Sequence, residues 1–303
     1  MTPHFVAILQ ALFVVFLWGT SWVFVKIGLQ AIPPVTFAGL RYTLAFACLL
    51  ALMFFNDSRN ELRRIPGHTW MQLVLLGILY YAGTQGAIFV ALAYLPAVPI
   101  SLLWSFSSVV VALLGIILLS EKPTAVQWNG VLLTVAGALI YFYPVDIPNS
   151  QTIGVIAAAS GILANAASSI LGREINRSGK YHPLVVTVVS MGAGSTVLLV
   201  TGLLTEGMPV LDLQTWGITA WLALVNTAFA FTLWNHTLRT LTAMESSIIN
   251  GTMLIWIPIF AIIFLGETIT SKEIMGLIAA GIGTLIVQLR SPLVKKKVVT
   301  NLG

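Results

Sequence analysis

Charge is what this sequence has least of. Of its 303 residues, 8% are Asp, Glu, Lys or Arg, against about a quarter in a soluble globular chain. Cysteine is nearly absent too. Cys48 stands alone, which excludes an intrachain disulfide and leaves redox compartment unread. Titratable groups are missing where they would move protons. No carboxylate falls midway along an apolar run, and His4, His68, His182 and His236 all sit at run ends or in loops. An intramembrane proton carrier of the usual kind is therefore not expected. There is no GxxxxGK phosphate loop, no HExxH zinc motif and no paired-carboxylate site. These gaps speak against an ATP-driven pump and against an intramembrane enzyme, and nothing asks for a metal or cofactor.

What the chain has is apolar length. It is 58% hydrophobic, with a mean hydropathy of +0.95. A membrane span needs about 20 apolar residues. Ten such stretches fit, near 5–28, 35–55, 69–93, 97–119, 125–143, 152–173, 183–204, 215–238, 245–265 and 272–290. The gaps between them are short, so neighbouring helices run antiparallel and no soluble domain fits. The first stretch is too long for a signal-peptide core and lacks a basic leader, so it reads as a retained helix. The expected fold is an all-α membrane protein with ten transmembrane helices.

The chain repeats itself. Residues 93–141 read again at 239–287, shifted by 146 positions. Glu121 falls on Glu267, Thr124 on Thr270, Gly130 on Gly276 and Gly137 on Gly283. Each half, 1–146 and 147–303, holds five spans. An odd number turns the second half upside down in the bilayer. Inverted five-helix repeats around a midplane site are the architecture of secondary transporters.

A net charge of +5 raises the question of nucleic acid, and its distribution answers it. With alternating spans, Arg59, Arg63, Arg64, Lys122, Arg173, Arg177, Lys180, Arg239, Arg290 and Lys295 to Lys297 gather on one side. Lys26 and Lys272 lie on the other. Basic residues mark the cytoplasmic side, so both termini are expected there, with the lysine tail anchoring near anionic lipid.

Polar and aromatic residues inside the spans define the candidate site. Helix 4 carries Ser101, Trp104, Ser105 and Ser108 on one face, and helix 9 answers with Ser247, Asn250, Gly251 and Leu254. Polar side chains are costly in lipid, so this face should point inward; close packing of small polar residues is the plainer alternative. Trp18, Tyr80, Tyr81, Gln85, Asn165, Asn226 and Trp256 are similarly deep. Aromatic, amide and hydroxyl groups together suit a partly apolar, mostly uncharged organic solute. Arg41 is the one basic residue well inside a span. It either snorkels, bonds a structural carbonyl, pairs with a substrate carboxylate or forms part of an outer gate. Thr124-Gln127 and Thr270-Glu273 have capping-box spacing at the starts of helices 5 and 10. Glu121 and Glu267, just before them, are read as stabilising those helix starts, with gating as the alternative. Small residues every four positions in helices 5 and 10 read as close packing, within or between subunits. Pro258 is expected to bend helix 9.

LWGTSWVFVK (Leu17 to Lys26), Pro33-Pro34, LRY (Leu40 to Tyr42) and the ends LLSE and FLGE, in this order and with the repeat, resemble the drug/metabolite transporter superfamily, EamA type. The resemblance implies a bacterial inner-membrane protein that exports amino acids or other metabolites by alternating access, most similarly aromatic amino acids, with a small-molecule substrate and lipid as partners and a monomer or homodimer as the unit. It also implies roles for Trp18, Arg41, Glu121 and Glu267. The chain departs from many relatives in having Ser107-Ser108 where they have a mid-helix-4 proline. Facilitated diffusion is the expected mode; proton antiport of other metabolites or drugs, or a non-transporting sensor, are the alternatives.

Overall fold

The computed structural model describes residues 2–55, 59–62, 64–119, 124–144, 148–177 and 180–288. Among them ten helices are long and apolar enough to cross a membrane, and there is no strand. We label the helices α1 (Pro3–Gly28), α2 (Pro34–Phe54), α3 (Gly67–Tyr94), α4 (Ala97–Leu119), α5 (Ala125–Phe142), α6 (Thr152–Arg177), α7 (Pro183–Thr205), α8 (Leu213–Thr237), α9 (Ala243–Gly251 continuing as Met253–Leu265) and α10 (Ser271–Gln288). In hydrocarbon every backbone N–H and C=O must bond within the chain, which is why these runs are helical. We call the face holding the start of α1 and the end of α10 the near face, and the opposite one the far face.

Helix starts carry the expected chemistry. The Thr124 hydroxyl accepts from the Gln127 N–H while the Gln127 carbonyl accepts from the Thr124 N–H, and Thr270 and Glu273 do the same for α10. Thr242 and Glu245 form a third such box at α9. Asp212 caps α8, and the Thr215 hydroxyl and N–H hold its carboxyl below the usual carboxylate range.

The two halves interlock. The first helix of each half packs against the third and fourth of the other: α1 against α8 and α9, α6 against α3 and α4. The remaining helices pair with their repeat equivalents, α2 along α7 and α5 along α10. The last pairing explains the small residues spaced along these two helices. A Cβ on Gly137 would lie 2.4 Å from the Ala280 nitrogen and 2.6 Å from the Gly276 carbonyl oxygen. The stripe therefore joins α5 to α10 within one chain.

Three helices are irregular. α3 opens into a π-helix at Ile78–Gln85, and α8 does so at Leu224–Phe229. The two segments begin 146 positions apart, so the repeat extends to a backbone feature that residue identity conceals. In each, a threonine hydroxyl donates to the carbonyl five residues back: Thr84 to Leu79 at 3.0 Å, Thr227 to Leu222 at 2.8 Å. The discontinuity in α9 falls at Thr252, ahead of Pro258.

Gly137→Ala must push α5 and α10 apart and is expected to cost about 1–3 kcal/mol of stability or more. Gly217, in α8, has open space around its Cβ position; Gly217→Ala is expected to be neutral or stabilising by about 0.5–1 kcal/mol. Thermal unfolding of the two purified variants checks the contrast.

Candidate functional site

Between the halves lies a cavity of about 710 Å³. α4 supplies the polar face read from its spacing: Ser101, Trp104, Ser105 and Ser108 all line it, with Ser107 beside them. Asn250, Gly251 and Leu254 of α9 face them; the Ser247 side chain lies outside the described ones. Trp18 of α1, Tyr80 and Gln85 of α3 and Asn165 of α6 complete the predicted residues that meet here. Asn165 donates to the Ser107 hydroxyl, and Gln288, at the end of α10, donates to Ser108 at 3.0 Å.

Three predicted residues sit elsewhere. Asn226 is fully buried between α8 and α1, donating to the Leu17 carbonyl and the Thr20 hydroxyl. Tyr81 is buried behind Tyr42 and Tyr80, with ring centroids 5.4 and 5.0 Å away, and borders only a shallower neighbouring groove. Trp256 stacks on Phe260 and meets Phe16 edge-on in the α1–α9 seam. Pro258 is buried within the second segment of α9.

Arg41 neither snorkels nor bonds a carbonyl. It is 6% exposed. Its Nε donates to Thr227 Oγ1 of the α8 π-segment at 3.1 Å, and one terminal nitrogen donates to Ser21 of α1 at 2.9 Å. The Tyr42 and Phe89 rings lie 5.2 and 5.8 Å from its guanidinium carbon. Tyr42 in turn donates to Gln85 Oε1 of the α3 π-segment at 2.9 Å. The two π-segments thus hold adjacent residues of α2, one from each half. Nothing in the apolar periodicity signalled this, because a π-turn widens the backbone without changing composition.

Two charged residues hold the α3–α4 turn at the far face. The Lys26 ammonium donates to the Leu92 and Leu95 carbonyls, both at 2.6 Å, at the end of α3. Glu267 accepts from the Ala97 and Val98 amides at 2.6 and 3.0 Å, at the start of α4. Together they grip the tight α3–α4 turn from both sides. Glu267 therefore caps α4, in the other half, and not the helix that follows it in sequence, which has its own threonine box. Glu121, its repeat equivalent, lies outside the described residues. At the near face the lining runs out to Gln127, Arg173 and Gln288 at helix ends. The described lining thus extends from mid-membrane to helix ends at the near face. Among the described lining residues there is no Asp, Glu, His or Lys; Arg41 and Arg173 are the charged ones.

The EamA-like transporter family model matches this chain twice, over residues 5–143 and 152–289. The chain belongs to that family. It is 27% identical over 294 residues to a probable amino-acid metabolite efflux pump of Salmonella typhimurium, covering 90% of this chain and 92% of the relative. It is 24% identical over 285 residues to the uncharacterized transporter YoaV of Bacillus subtilis, covering 89% and 92%. A solved crystal structure superposes with a TM-score of 0.67 at 17% identity, over 92% of this chain and 95% of that one, which shows the shared fold. The family member is a multi-pass membrane protein of two five-helix repeats.

Glu267→Ala leaves two helix-start amides without their charged acceptor. It is expected to destabilise the protein by about 1.5–3 kcal/mol, with Glu267→Gln milder because the amide oxygen still accepts. Thermal unfolding in detergent reads the order; equal losses for both variants would contradict a capping role.

Proposed function

We propose that the protein exports small organic metabolites, amino acids among them, across a bacterial inner membrane by alternating access. The observation that carries this reading is a cavity walled by both repeats, with the Lys26–Glu267 clasp on the α3–α4 turn at one face and a lining that runs out to helix ends at the other. Inverted repeats make such a state one of a pair: exchanging the conformations of the halves seals the other side. The near face is the cytoplasmic one, because the basic residues gather there, so the structure corresponds to a cytoplasm-facing state. One copy of the chain, with repeats 1–146 and 147–303, supplies the whole path.

The lining supports a solute with an apolar or aromatic body. Trp18 is packed against Phe231 and Trp234, with centroids 5.4 and 5.2 Å apart, and so presents a fixed surface. Trp104 borders the cavity across from it, its ring against Gly161. The relative named as an amino-acid metabolite efflux pump agrees with this size class. Among the described lining residues there is no carboxylate or histidine, which favours a facilitator over proton antiport.

The test is counterflow of labelled phenylalanine and alanine in sealed proteoliposomes. Trp104→Ala removes one aromatic wall and is expected to raise KM for phenylalanine about tenfold, the scale of one aromatic contact, with alanine little changed. Flux that is lost equally for both solutes, or unaltered for both, would contradict an aromatic-lined path. Flux that follows an imposed pH gradient would overturn the facilitator reading.

A further inference from the structure

Arg41 is a full charge in a place that charges avoid. Its partners are two hydroxyls and two aromatic faces, Ser21, Thr227, Tyr42 and Phe89, and among the described residues it meets no carboxylate. Those partners orient the guanidinium, yet none neutralises it. A buried charge without a counter-charge is expensive, and a protein that keeps one has usually another source of compensation. Arg41 lines the cavity, where a solute can supply that compensation. Among the described lining residues there is no acidic group to receive an ammonium.

We propose that Arg41 is the anion site of the pathway, and that the preferred substrate is an organic monoanion: a carboxylate on an apolar or aromatic body, without an adjacent ammonium. The guanidinium donates to the carboxylate through the N–H groups that Ser21 and Thr227 leave unused, while those two hydroxyls fix its orientation. The aromatic lining of Trp18, Trp104 and Phe231 receives the body. This rests on the transport reading above and narrows it from zwitterions to anions.

The charge of the substrate also supplies a driving force. An inside-negative membrane potential pushes an anion outward. At about 2.3 kcal/mol per charge per 100 mV, the potential supports a concentration ratio of roughly 50-fold for each 100 mV, without coupling to a proton. Export of a monoanion is then electrogenic.

The experiment compares three probes that share a phenylethyl body on the purified full chain in nanodiscs: 3-phenylpropionate, phenylalanine and 2-phenylethylamine. The anion is expected to bind at least tenfold tighter than the other two. Arg41→Gln should erase that preference, and Arg41→Lys should keep part of it. Equal or tighter binding of phenylalanine or the amine to the unaltered protein overturns the proposal, whether or not the variants fold. So does an Arg41→Gln variant that folds and keeps its affinity for the anion. In proteoliposomes, flux above that of protein-free vesicles should follow an imposed potassium-diffusion potential. Anion binding without any such flux upholds the site and overturns the transport reading instead.

Discussion

Helix starts in hydrocarbon need acceptors for their first amides, and this bundle supplies several of them from the opposite repeat. Glu267 serves α4, and Glu206 accepts from the Val35 and Thr36 amides at the start of α2. In the other direction Glu61, of the first half, accepts from the His182 amide that opens α7. α2 and α7 are repeat equivalents, so one device is used at both faces. Each such bond is charge-assisted and stronger than a neutral one. The two halves are thereby made to finish each other's helices. Any rearrangement of one half against the other must break these bonds at one face, which makes the helix starts the natural latches of the fold.

The cavity follows from the same constraint. Irregular backbone is tolerated at membrane depth only where it is buried or lines a polar space. Both π-segments and the discontinuity in α9 meet that condition: they bear on Arg41, Tyr42, Gln85, Gly251 and Met253, at or beside the cavity wall. The polar groups that α3, α4, α8 and α9 carry are inside because the lipid side cannot hold them. The repeat is symmetric in backbone and asymmetric in side chains. Tyr80 lines the path while Asn226, its equivalent 146 positions on, locks α8 to α1.

Much of this was legible beforehand. Ten apolar runs, the 146-residue offset and the odd span count per half lead directly to inverted repeats. The serine-tryptophan face of α4 was readable because helical spacing survives translation into three dimensions. The partners of charged residues were not. Glu267 looked like a cap for the helix that follows it, and its true partners, the Ala97 and Val98 amides, lie 169 and 170 positions away. Arg41 could be seen as costly, but Ser21 and Thr227 reach it through tertiary packing that no local pattern encodes. Trp256 and Tyr81 were as deep as the lining residues yet turned into seams, since depth along a helix says nothing of azimuth when nearly every position is apolar.

The most direct test of alternating access is which face can reach the cavity. Ser108→Cys, midway along α4 beside Gln288 at the end of α10, and Ser101→Cys, one turn from the far-face clasp, are introduced singly into a Cys48→Ala background. An impermeant thiol reagent is then added to one face of sealed vesicles at a time. The account predicts that Ser108→Cys labels from the near face, that Ser101→Cys becomes accessible from the far face in a fraction of molecules, and that Glu267→Ala enlarges that fraction. Labelling confined to the near face under every condition, with or without Glu267, would mean a blind pocket and would contradict transport by exchange of the two halves.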